Sequence, residues 1–144
     1  KDRLFYFSFG RGIFSSIDGL NWEPLSDKND IVSKRSFYTV EVFQDYIYVI
    51  CGQYKTEDTS MVVLSNEIIR SKDCKEWEVV SPEYDFLQRG DIYHRFSINP
   101  VRKNQTSIVF KDRIFIFGGE TGNNSKYLSD IWFTTDGLKW IQIR

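Results

Sequence analysis

One short word is written three times in this sequence, and it constrains the fold more than any other feature. It reads "SSIDGLNW" from Ser15 to Trp22, "SKDCKEW" from Ser71 to Trp77 and "TTDGLKW" from Thr134 to Trp140. In each copy an Asp (Asp18, Asp73, Asp136) is followed four positions later by a Trp (Trp22, Trp77, Trp140). Gly19 and Gly137 follow the Asp in the outer copies, and Cys74 takes that place in the middle one. Asp-Gly between β-rich runs marks a hairpin, because Gly accepts positive φ and the Asp side chain can bond the turn backbone. Recurrence of the whole word implies successive copies of one supersecondary unit.

A second element precedes each word. "KDRLFYF" at Lys1 to Phe7, "QDYIYVICG" at Gln44 to Gly52 and "KDRIFIFGG" at Lys111 to Gly119 each pair a polar residue with Asp and continue into a dense β-branched or aromatic run. The last two units add a third element, in which Arg35 and Arg102 each stand ten positions before the Asp of that pair. A full unit therefore reads as four antiparallel strands. Strand one covers about Phe37 to Phe43 or Gln105 to Phe110, and a tight turn at Gln44-Asp45 or Lys111-Asp112 leads into strand two. Strand three follows a variable loop, at Asn66 to Ser71 or Ser129 to Thr135, and the Asp turn then passes to strand four at Trp77 to Val80 or Trp140 to Ile143.

This pattern resembles the kelch repeat, in the bacterial and galactose-oxidase-central-domain style whose units end in S-x-D-G-x-x-W. The kelch double glycine stands at Gly118-Gly119 and is Cys51-Gly52 in the middle unit. The resemblance implies an all-β fold of β-propeller blades, each of four antiparallel strands. About three blades are expected: residues 1–25, lacking strand one, then 26–80 and 81–144. Propellers close with four to eight blades, so further blades from the same chain or another copy are expected to complete the ring. The chain begins with Lys and is expected to be a segment of a longer polypeptide.

Composition agrees with this reading. Aromatic residues make up 17% of the chain and favour pleated, half-buried surfaces. The 19 basic and 20 acidic residues nearly cancel, so neither nucleic acid nor membrane insertion is expected. Apolar runs such as "YIYVI" have strand length and fall far short of a membrane span.

In an up-and-down blade the one-to-two and three-to-four turns share one face, and the two-to-three and four-to-one loops share the other. The long irregular segments, Ser26 to Lys34, Gln53 to Ser65, Ser81 to Val101 and Glu120 to Ser129, all fall on that second face. Loops on a rigid scaffold carry function. The richest stretch holds Arg89, Tyr93, His94, Arg95 and Arg102, a set able to bind a carboxylate, a sugar acid or an acidic partner loop through guanidinium forks and aromatic stacking. Arg35 and Arg102 occupy equivalent positions and, being repeated, are expected to bond carbonyls of a neighbouring blade, with anion binding as the alternative role. The repeat residues Asp18, Gly19, Trp22, Asp73, Trp77, Gly118, Gly119, Asp136, Gly137 and Trp140 are read as structural.

With one His and two separated Cys, Cys51 and Cys74, the sequence assembles neither a catalytic triad nor a zinc site, and no cofactor or metal is expected. Asn104 and Asn123 begin N-glycosylation tripeptides, and Asn123, in a two-to-three loop, is the better placed. The leading expectation is a binding module holding a protein or glycan partner on its loop face. The alternatives are a carbohydrate-active enzyme acting on a sugar acid, and an assembly subunit pairing through open edge strands.

Overall fold

A computed structural model describes residues 3–27, 30–56, 61–81, 98, 100–122 and 126–143. It is all-β, with no helix among the described residues, and its strands form four antiparallel sheets of three or four strands.

The first unit folds as β1 (Leu4–Ser8), β2 (Gly12–Ser16) and β3 (Glu23–Pro24), paired in that order. The middle unit builds a four-stranded sheet from β5 (Thr39–Phe43), β6 (Tyr46–Ile50), β9 (Ile68–Ser71) and β10 (Glu78–Ser81). The last unit repeats that order with β11 (Thr106–Val109), β12 (Ile114–Thr121), β13 (Lys126–Thr134) and β14 (Ile141–Ile143). The first unit therefore lacks the equivalent of β5 and β11, as its sequence implied.

Two segments expected as irregular loops are strands instead. In the middle unit, β4 (Arg35–Ser36), β7 (Gln53–Lys55) and β8 (Val62–Leu64) form a small sheet of their own, and the "VVL" of β8 supplies the β-branched residues such a strand favours. In the last unit β12 and β13 run on as one long hairpin as far as the Thr121–Lys126 pair. A register shift between Phe117 and Gly119 bends that hairpin.

Alternation along each strand gives every sheet two faces, and the core lies between sheets. Ile13 of the first sheet packs with Ile47, Val49, Ile69 and Cys74 of the middle one. Tyr48, Ile50 and Ile68, on the other face of the middle sheet, pack with Ile114, Ile116, Trp132 and Trp140 of the last. Successive sheets thus stack face on face, the front of one against the back of the next. Polar ties complete the stack: the Ser107 hydroxyl donates to the Glu41 carboxylate at 2.6 Å, and Gln105 Nε2 donates to the Ile50 carbonyl at 2.8 Å.

Candidate functional site

The three repeated words form three copies of one turn. Ser16 Oγ accepts from the amides of Asp18 and Gly19, while Asp18 Oδ1 accepts from those of Leu20 and Asn21, both at 2.8 Å. Ser71 and Asp73 make the same bonds to Cys74, Lys75 and Glu76, and Thr134 and Asp136 to Gly137, Leu138 and Lys139. Bonds to the charged form hold the Asp18 carboxyl well below the ordinary carboxylate range, those from Asn21 contributing most. Burial acts to raise the Asp136 pKa, but the amides of Lys139 and Leu138 outweigh it and keep the group low. Gly19, Cys74 and Gly137 all take positive φ, at 76°, 62° and 73°. The Ser or Thr hydroxyl and the Asp carboxylate of each word are therefore committed to turn geometry.

The one-to-two turns lie on the same side. Gln44 and Asp45, and likewise Lys111 and Asp112, have positive φ at both positions, as a two-residue hairpin demands. Gln44 Nε2 donates to the Thr135 carbonyl at 3.2 Å, joining a one-to-two turn of one unit to the three-to-four turn of the next.

On the opposite side stand the two repeated arginines. Arg102 is fully buried and forks onto Asp130, Nη1 to Oδ1 at 2.7 Å and Nη2 to Oδ2 at 2.8 Å. It also donates to the carbonyls of Gly118 and Pro100. These carbonyls belong to its own unit, and its backbone carbonyl accepts from Gly52 N of the neighbouring unit at 2.9 Å. Burial would raise the pKa of Asp130, yet bonds from Arg102 and Trp132 Nε1 hold it below the usual value. Arg35 makes the equivalent ion pair with Glu67. Sequence reasoning missed both acidic partners, although Glu67 and Asp130 each stand six positions before the Asp of the repeated turn.

Arg35 differs from Arg102 in its surroundings. It pairs with Tyr54 across β4 and β7, with its guanidinium carbon 5.6 Å from the ring centroid. Together they line a cavity of about 380 Å³ whose other walls are Ile31, Lys34, Lys55, Thr56 and Glu67. Ile31 and Lys34 come from the four-to-one segment and Tyr54, Lys55 and Thr56 from the two-to-three segment, the two expected to carry function. A hollow of about 450 Å³ also lies beside the Asp73 turn, among Tyr46, Arg70, Lys72 and Trp77. Its basic groups are used locally: Arg70 bonds Glu78 at 2.5 Å, and both Arg70 and Lys72 sit over the Tyr46 ring.

Arg89, Tyr93, His94, Arg95 and Asn123 lie outside the described residues. Asn104 is exposed and donates through its amide nitrogen to Glu120 at 2.8 Å. Cys51 and Cys74 are buried free thiols, and burial pushes each up to about 12. Among the described residues no group of three or more His, Cys, Asp or Glu is placed to hold a metal ion, and no helix is long and apolar enough to cross a membrane. Compared with known protein families and curated proteins, the chain matches no family model and no curated sequence.

Proposed function

We propose that this chain is part of a kelch-type propeller acting as a binding module, and that a saccharide-sized ligand or a partner's glycan occupies the cavity between Arg35, Tyr54 and Lys55. One observation carries the reading: the cavity draws its walls from both the four-to-one segment and the β7 segment of the middle unit, on the side opposite the repeated turns. Its volume is in the range of small-molecule sites. Tyr54 offers a flat apolar wall with a hydroxyl at its tip, and exposed Lys34 and Lys55 offer donors to hydroxyl or carboxylate groups. The Arg35–Glu67 ion pair gives the cavity a charged wall of both signs.

A glycan array presenting neutral and acidic saccharides tests this with the wild-type chain and a Tyr54→Ala, Lys55→Ala double variant. Binding should fall at least tenfold in the variant while its melting temperature changes by no more than a few degrees. Absence of wild-type binding, or equal binding by both proteins, would refute the assignment.

A further inference from the structure

The Arg35 cavity lies where the middle and last units stop resembling each other. The Lys103–Glu120 bridge beside Arg102 takes the place of the Ser36–Gln53 pair beside Arg35, so the two units align residue by residue around their arginines. In the last unit Ile98 is fully buried, and Asp130 accepts from both terminal nitrogens of Arg102 and from Trp132 Nε1. The middle unit is open at the same place. Ile31, the equivalent of Ile98, is 42% exposed; Ile69 holds the position of Trp132 and has no N–H to donate; and Glu67, the equivalent of Asp130, lines the cavity.

The residues that differ most between the two units fall on the cavity wall. Lys34, Tyr54 and Lys55 stand where the last unit has Val101, Thr121 and Gly122. A residue shared by every unit serves the scaffold, whereas these three break the repeat together at one place. Their charge has one sign. Lys34, Arg35 and Lys55 meet the single carboxylate of Glu67, three positive charges against one negative, an excess of two. Arg35 offsets Glu67 in their ion pair. Lys55, the last residue of β7, is exposed and makes no ion pair among the described residues.

We infer that the cavity prefers saccharides carrying a carboxylate to their neutral counterparts, and that Lys55 sets the preference; this rests on the saccharide reading proposed above and adds the charge of the sugar to it. Tyr54 gives a sugar ring a flat wall, and Glu67 accepts from ring hydroxyls, contacts that neutral and acidic sugars share. Only a carboxylate gains from the excess of positive charge. Its bond to the Lys55 ammonium is charge-assisted from both sides, whereas a hydroxyl in the same place accepts as a neutral group. Lys55 is exposed, so the gain is of the size found for surface ion pairs, about fivefold in affinity at low salt, and is screened as salt rises.

Titration calorimetry tests this with pairs of sugars that differ only at C6, methyl glucuronide with methyl glucoside and methyl galacturonide with methyl galactoside, at low and at high sodium chloride. The wild-type chain should bind the acidic member of at least one pair about fivefold more tightly at low salt, and the difference should shrink at high salt. Lys55→Gln should bind both members of that pair alike, at the wild-type affinity for the neutral one. Lys55→Arg should keep the preference, and all three proteins should share one melting temperature. Binding of no sugar by the wild type would remove the saccharide reading and the preference together. Equal binding of both members of each pair, tighter binding of the neutral member, or a preference that survives in Lys55→Gln would overturn the preference alone and leave the saccharide site standing.

Discussion

Tyr48 of the middle sheet lies against the backbone of Gly137 in the last repeated turn, so closely that a Cβ at Gly137 would fall inside the Tyr48 ring and hydroxyl. This relationship joins the two roles of the repeated word, since one glycine both accepts the φ of 73° and admits the neighbouring sheet. Gly137→Ala should therefore lose about 2–4 kcal/mol, combining left-handed strain with overpacking. Urea titration of Gly137→Ala, Tyr48→Ala and the double variant checks the cause. The double variant should be less destabilised than the sum of the singles by about 1 kcal/mol or more.

Breaking the Arg102–Asp130 fork should be more damaging than its single ion pair suggests. Arg102 is wholly buried, so Asp130→Ala leaves a guanidinium without its counter-charge, at a cost of about 3–5 kcal/mol. Chemical denaturation of Asp130→Ala beside wild type measures this loss. A value under about 1 kcal/mol would show the pair to be dispensable.

The pH dependence has a definite sign. Asp130 and Asp136 have folded pKa values below their ordinary 3.8. Their contribution is thus fully present above pH 4 and is lost as pH falls below 3.8 through the folded values. Melting temperature should hold from neutral pH to about pH 4 and drop below it, and the drop should be shallower in Asp136→Ala. A profile that falls between pH 6 and pH 5 would point to other groups.

Both thiols should be silent in the folded state. Buried Cys51 and Cys74, each pushed up to about 12, carry almost no thiolate at pH 8. A colorimetric thiol assay should find no reactive cysteine in native protein and two after unfolding. One reactive thiol in the native protein would contradict the packing of that residue.

The strands and turns were legible because their chemistry repeats. Asp18, Asp73 and Asp136 with their following Trp located each three-to-four turn, and Gln44-Asp45 and Lys111-Asp112 located the one-to-two turns. Cys51 shows why the glycine pattern was only partly readable. It takes φ 58° where Gly118 takes 55°, so the shared backbone conformation persists without the shared residue. The small β4-β7-β8 sheet escaped notice because its strands are only two or three residues long and too short to establish alternation. Glu67 and Asp130 escaped because a buried ion pair is fixed by spatial neighbours 32 and 28 positions apart. Tyr54 and Lys55 were legible only as part of a loop, since a cavity depends on how two segments meet.

The division between a structural turn face and a binding loop face is tested most directly by backbone amide NMR. The wild-type chain would be titrated with the saccharide bound most strongly on the array. Shift changes should concentrate at Lys34, Tyr54, Lys55 and Thr56 and leave the amides of Gly19, Cys74 and Gly137 unmoved. Changes centred on those three turn residues would contradict the account.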